Sequence, residues 1–293
     1  MSIILDGKAT SNQIKEELKI KVKEIKETGK RPPHLAAVIV GNDGASLTYV
    51  GSKVRSCERI GFDSTLIRLE DSISQEALIA TIEKLNNNNL IDGFIVQLPL
   101  PKQIDEEAVL HSINPNKDVD GFHPTNFGKM ALGMETFIPA TPFGIMELIK
   151  RYKIDISGKH AVVIGRSHIV GRPMSILLSE KGNPGNATVT LTHSRTQNLS
   201  EITKKADIIV SALGVPNFLT ADMVKVGAII IDVGITRVPD VNQPKGYVIV
   251  GDVHYDEVNE KASYITPVPG GVGPMTIAML LQNTMLAYER NES

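Results

Sequence analysis

Residues 161–178 read AVVIGRSHIVGRPMSILL, and this stretch decides the fold class. A short apolar run rich in β-branched residues ends on Gly165, Gly171 follows, and Pro173 falls where the first turn of a helix is expected. Buried strand, tight turn, then helix is the order of a dinucleotide-binding unit in a parallel sheet. Backbone amides at such a helix start, together with the helix dipole, favour an anion. Gly165, Arg166 and Ser167 are therefore candidate contacts for a pyrophosphate. The pattern departs from G-x-G-x-x-G because Ser167 stands where the middle glycine would be, which limits how closely backbone can approach a ligand. The plainer reading is an ordinary strand-to-helix turn.

Downstream, the next strand, TVTLT at 188–192, runs into His193-Ser194-Arg195. An NAD-binding fold usually carries an acid there for the ribose hydroxyl, and none is present. Arg166, Ser194 and Arg195 instead offer cations and a hydroxyl suited to a 2′-phosphate, which favours NADP over NAD. A solvated surface charge is the competing reading of Arg195. Two further apolar runs, DIIVSAL at 207–213 and GAIIIDVG at 227–234, continue the alternation and predict a second parallel sheet.

Upstream, Ile14, Leu18, Val22 and Ile25 recur at helical spacing up to Gly29, and residues 35–40 form an apolar strand. Residues 49–60 read as a helix stopped by Gly61, 62–69 as a strand, 75–85 as a helix and 93–98 as a strand. The region from Leu110 to Pro142 is rich in Asn, Pro, Gly and Asp and reads as a long functional loop. The last periodic segment, 275–288, is expected to dock back onto the first domain.

A chain of 293 residues exceeds one typical domain of roughly 150. The expected division is an α/β domain over residues 1–140, joined by the helix 274–293, and a Rossmann-like domain over 141–273. With 31 Lys and Arg against 33 Asp and Glu, the net charge of −2 gives no field for nucleic acid or anionic lipid. A small-molecule partner is expected. Cys57 is the only cysteine, which excludes an internal disulfide or thiolate cluster and suits a reducing compartment. The amino terminus has no basic stretch followed by a long apolar one, so a cytoplasmic protein, neither exported nor membrane-inserted, is expected. Seven histidines show none of the pairings that mark a metal site, and no catalytic metal is expected.

Tyr49 and Lys53 stand four residues apart and so share one helix face. A surface lysine beside a half-buried tyrosine is the commoner fate of such a pair. Tyr-x-x-x-Lys also marks short-chain dehydrogenases, but there it follows the nucleotide loop, whereas here it precedes it.

Six segments carry a more specific likeness: YVGSKVRSCERIGF, DGFIVQLPLP, NKDVDGFHP, PATPFGI, VVIGRSHIVGRPM and TPVPGGVGPMT. In order and spacing the chain resembles the methylenetetrahydrofolate dehydrogenase/cyclohydrolase family over nearly its whole length. The resemblance implies oxidation of 5,10-methylenetetrahydrofolate with NADP, then hydrolysis of the methenyl product to 10-formyltetrahydrofolate. It implies catalytic roles for Tyr49, Lys53, Gln97 and Asp120, with Leu98, Pro99, Gly270, Gly271 and Pro274 bordering the folate and Ile235 lining the cofactor site. In this reading Asp120 anchors the pterin through its donor pair, Tyr49 packs on the aromatic portion, and Lys53 serves as base or proton shuttle. A homodimer is implied too. Ala140 stands where many relatives carry a cysteine, so no cysteine chemistry is proposed there. Two other readings stay open: an NAD(P)-dependent dehydrogenase of a small amino or hydroxy acid, and a nucleotide-sensing protein without turnover.

Overall fold

The computed structural model describes residues 2–244 and 246–292. Its strands are β1 (Ile3–Ile4), β2 (His34–Val40), β3 (Asp63–Leu69), β4 (Gly93–Val96), β5 (His160–Ile164), β6 (Thr188–Thr192), β7 (Ile208–Ser211), β8 (Ile229–Asp232), β9 (Thr236–Pro239), β10 (Tyr247–Val250) and β11 (Tyr264–Ile265). The chain divides into two compact units: Met1–Ser11 with Thr141–Thr276, and Asn12–Ala140 with Ile277–Ser293.

In the first of these units a six-stranded sheet runs β1-β11-β8-β7-β5-β6, all neighbours parallel. Ala161 and Val163 of β5 pack with Ile208, Val210 and Ile231 on one face. Val162 and Ile164 pack with Ile209 and Ile230 on the other. Burial on both faces is why these strands read as unbroken apolar runs. β9 and β10 form a separate antiparallel hairpin.

The second unit holds a parallel sheet ordered β3-β2-β4. Ala36, Val38 and Val40 pack with Phe94, Val96, Leu78 and Ile82. The helix Gly44–Ile60 ends at Gly61, whose φ of 86° is the left-handed conformation glycine adopts without strain. The carboxy-terminal helix Val272–Asn291 docks on this unit as expected: Asn283 Nδ2 donates to the carbonyls of Val119 and Ile138, and Arg290 lies over the Phe137 ring.

The structure differs from the sequence reading in three places. Ile3 and Ile4 pair with Tyr264 and Ile265 at the edge of the six-stranded sheet, a contact the sequence reading did not foresee, because strands of two residues carry no periodicity to read. The expected long loop is interrupted by helices Glu106–Ser112, Pro124–Ala131 and Ala140–Arg151. Asp105 accepts the amides of Glu107 and Ala108, and His123 Nδ1 that of Thr125, so residues suggesting loop are helix caps. The strand expected over 93–98 stops at Val96, although the Gln97 amide still donates to Val38 at 2.9 Å.

Candidate active site

Asp43 starts the helix Gly44–Ile60 by accepting the Ser46 amide at 2.7 Å. One turn apart on it, Tyr49 and Lys53 meet, with Lys53 Nζ 4.8 Å from the Tyr49 ring centroid. Lys53 is only 4% exposed, which rules out the solvated-lysine reading. Its Nζ donates to Gln97 Oε1 at 3.1 Å. Gln97 sits just past the end of β4 and commits its own Nε2 to the Leu98 carbonyl at 2.8 Å, which fixes the direction of the amide. The following Leu98–Pro99 peptide is cis.

Burial lowers the pKa of Lys53, and the Asp120 carboxylate opposes that shift. Burial raises Asp120 in turn, opposed by Lys53. Tyr49, Lys53, Gln97 and Asp120, drawn from a helix, a strand end and a turn, are thus brought into one constellation in one unit.

Asp118 is a residue the sequence reading missed. It is 1% exposed and accepts the amides of Phe122 at 3.2 Å and His123 at 2.8 Å, plus Asn126 Nδ2 at 2.8 Å. Asn126 is itself held by Thr136 Oγ1 and the Pro115 carbonyl. This network shapes the turn that carries Asp120, and Gly121 completes it with φ of 74°. Burial pushes Asp118 up to about 7, despite the three hydrogen bonds that favour its charged form. Lys117 anchors the same turn by donating to the Leu85 and Asn88 carbonyls. Cys57 is buried with its thiol pushed up to about 12, an inert side chain.

In the other unit, Gly165 follows β5 and its amide donates to Thr192 at the end of β6. Arg166 therefore leaves one strand end beside Ser194 and Arg195 leaving the next, and all three are exposed. Neither guanidinium has a partner among the described residues. His193 Nδ1 accepts the Arg195 amide at 3.2 Å, and the His193 amide donates to Thr196 Oγ1 at 2.9 Å, so a tight turn presents Arg195. Ser167 Oγ accepts the amides of Val170 and Gly171 at the start of the helix Gly171–Ser179. A Cβ on Gly165 or Gly171 would run into the Ala212 or Gly165 carbonyl, so both glycines serve close packing at this turn.

Ile235 does not stand with these residues. It lines a cavity of about 130 Å³ at the end of β8, together with Gly270, Gly271 and Pro274. Asp252 is buried and accepts loop amides. No group of three or more His, Cys, Asp or Glu among the described residues is arranged to hold a metal ion.

A parallel-sheet unit with a dinucleotide-type turn, and a second unit carrying a Lys–Gln–Asp constellation around a buried lysine, define a two-domain α/β enzyme of nucleotide-linked chemistry. Residues 5–120 match the catalytic domain of tetrahydrofolate dehydrogenase/cyclohydrolase, and residues 139–292 match its NAD(P)-binding domain. The chain belongs to the tetrahydrofolate dehydrogenase/cyclohydrolase family. It is 69% identical to the bifunctional protein FolD of Flavobacterium johnsoniae over 97% of this chain and 96% of that one. Among solved structures it is similar to the bifunctional FolD methylenetetrahydrofolate dehydrogenase/cyclohydrolase of Campylobacter jejuni, with TM-score 0.93, 50% identity and 99% of each chain covered. The Trypanosoma brucei FolD enzyme, solved with NADP and an inhibitor, gives TM-score 0.93 and 38% identity over 99% of this chain and 98% of that one.

Proposed function

We propose that this protein oxidises 5,10-methylenetetrahydrofolate with NADP and hydrolyses the resulting methenyl group to 10-formyltetrahydrofolate. The observation that carries the proposal is the buried Lys53 amine held by a neutral amide, Gln97, beside Tyr49 and Asp120.

Asp120 accepts the ring N–H and exocyclic amine of the pterin, a planar donor pair that a carboxylate fits. Tyr49 packs along the aromatic part of the folate, with Leu98 and Pro99 beside it. The glycines of the 267–274 loop leave room for backbone to approach a ligand at the cavity that they line, with Pro274 in the first turn of the last helix. Arg166, Ser194 and Arg195 fit a 2′-phosphate because they present exposed cations and a hydroxyl at neighbouring strand ends. Ile235 lines the nicotinamide side. When bound, NADP supplies the hydride acceptor.

No proton travels with the hydride, so that step asks alignment of the residues rather than acid or base. Hydrolysis asks more. Water adds to the methenyl carbon and gives up one proton; the proton of the resulting hydroxyl then passes to N5 as the C=O bond forms and the carbon–N5 bond breaks, leaving the formyl group on N10. Lys53, with its pKa lowered by burial, takes the proton of the attacking water as a neutral amine. Gln97 orients that amine without the charge that would hold it protonated.

A cytoplasmic location and a homodimer complete the proposal, the latter to be checked by light scattering. Mixing the protein with methylenetetrahydrofolate and NADP, with a parallel NAD reaction, tests the chemistry. NADPH formation without accumulation of the methenyl compound supports both activities. Absence of folate-dependent NADPH or NADH overturns them and moves a small-acid dehydrogenase or a non-catalytic nucleotide binder ahead.

A further inference from the structure

Two carboxylates lie beneath the strand ends of the nucleotide-type unit, Asp252 at 0% and Asp232 at 3% exposure. Neither has a cationic partner among the described residues, so hydrogen-bond donors are what satisfy their buried oxygens. Asp252 Oδ2 accepts the Leu213 amide at 2.6 Å, the Gly214 amide at 3.2 Å and Ser211 Oγ at 3.4 Å. Its Oδ1 accepts the Val215 amide at 2.9 Å. The whole loop leaving β7 is thus wrapped on one side chain.

Asp232, the last residue of β8, does the same for the next loop. Its Oδ1 accepts the Gly234 amide at 2.9 Å and the Asp252 amide at 2.9 Å, and its Oδ2 accepts the Val253 amide at 3.0 Å. The Asp232 amide donates to Thr266 Oγ1 at 2.7 Å, immediately before the loop 267–274. A Cβ on Gly234 would run into Asp252 Oδ1, and one on Gly251 into Asp232 Oδ2. The glycines therefore make room for the carboxylates.

Both loops reach residues assigned to the cofactor. Ala212, at the head of the β7 loop, packs its carbonyl against Gly165 so closely that only glycine fits there. Gly234 and Ile235 line the cavity at the end of β8. Asp252 touches both devices, one through its carboxylate and the other through its amide.

We infer that Asp252 is a positioning residue for the redox half of the reaction. It fixes the β7 loop against the Gly165 turn and ties that loop, through Asp232, to the Ile235 flank of the same half-site. The inference rests on the NADP-linked reading above. It assigns Asp252 no contact with substrate or cofactor and no part in hydrolysis, whose residues Lys53 and Gln97 stand in the other unit.

Asp252→Asn keeps the shape and turns one acceptor into a donor facing backbone amides. The NADP Kd measured by calorimetry should weaken at least tenfold, and hydride transfer should slow even at saturating NADP. Hydrolysis of methenyltetrahydrofolate, assayed without NADP, should stay within twofold of the wild type. Equal losses in both activities, or an unchanged Kd, would overturn the inference. If the variant does not fold, amide-resolved hydrogen exchange on the wild type decides: Leu213, Gly214 and Val215 should be protected although they lie in a loop, and fast exchange there sinks the idea. Wild-type protein that binds NADP yet turns over no folate would refute the function proposed above while leaving the Kd comparison in force. Wild-type protein that does not bind NADP overturns both.

Discussion

Lys53 and Gln97 are joined by a single hydrogen bond, Nζ donating to Oε1 at 3.1 Å, while the Gln97 amide nitrogen is held by the Leu98 carbonyl at 2.8 Å. The amide cannot turn to offer a donor without losing the Leu98 bond. Gln97 therefore stabilises the position of the amine more than its charge. The balance of the amine is left to burial, which lowers its pKa, and to Asp120, which raises it.

Replacing that neutral partner by a carboxylate should reverse the balance. Gln97→Glu puts a negative charge beside the ammonium and raises the Lys53 pKa. Hydrolysis of methenyltetrahydrofolate at neutral pH should fall at least tenfold, with the rising limb of the pH–rate profile displaced to higher pH. Lys53→Met should abolish hydrolysis and let the methenyl compound accumulate during NADP reduction. Normal hydrolysis in Lys53→Met would remove Lys53 from the mechanism.

Cofactor choice is the second prediction. Arg166 and Arg195 stand at neighbouring strand ends without partners among the described residues, so a 2′-phosphate loses charge-assisted hydrogen bonds when either is truncated. Each such bond contributes about 1.5–3 kcal/mol, equivalent to roughly 10–100-fold in Kd. Arg195→Ala should weaken NADP by a factor in that range and leave NAD almost unchanged, with the NADP effect shrinking in high salt. A parallel loss for both dinucleotides would assign Arg195 to the pyrophosphate or to structure instead.

A pH dependence of stability follows from Asp118. Its folded pKa of about 7 lies above the ordinary value of 3.8. Between these values the folded state holds a proton that the unfolded chain has released, so stability declines as pH rises through this window. At about 1.4 kcal/mol per pH unit, the loss is about 4 kcal/mol at most. Asp118→Asn cannot ionise, so its Tm relative to wild type should climb from pH 5 to pH 8, all other groups being common to both. A difference that does not change with pH would mean that Asp118 stays charged throughout.

Asp118 also marks where sequence reasoning ran out. In the segment Asp118-Val119-Asp120 two acids alternate, and nothing in the letters says which is buried under the turn and which faces Lys53. The fold decides by pairing Asp118 alongside Phe94 and aiming three donors at its carboxylate. By contrast, β5, β7 and β8 were legible because both faces of their sheet are covered, which demands unbroken apolar runs. The Tyr49–Lys53 pair was legible through helical spacing, but the burial of Lys53 was not. β1 was invisible because its two residues are held by main-chain pairing to β11, which any side chain permits. The helix Pro124–Ala131 was hidden behind His123-Pro124, read as loop composition when it is a cap followed by a proline at the first helical position.

Gly171 offers a test of the nucleotide turn that leaves every charged group in place. Its φ lies outside the left-handed range, so alanine is permitted by the backbone and the obstacle is steric: a Cβ would meet the Gly165 carbonyl and Arg166 Cα. Relief requires the helix Gly171–Ser179 to retreat from the end of β5, which stretches the bonds from Val170 and Gly171 to Ser167 Oγ. Overpacking of this kind costs about 1–3 kcal/mol. Gly171→Ala should therefore lower Tm and weaken NADP binding together, while hydrolysis without NADP persists. Gly128→Ala is the matched control, since Gly128 is exposed in the helix Pro124–Ala131 and a Cβ there meets nothing within 4 Å. It should stabilise by about 0.4–1 kcal/mol through the unfolded chain and leave the NADP Kd unchanged. If Gly171→Ala bound NADP as tightly as the wild type, the turn would tolerate displacement, and the close packing of Gly165 against Gly171 would serve stability alone.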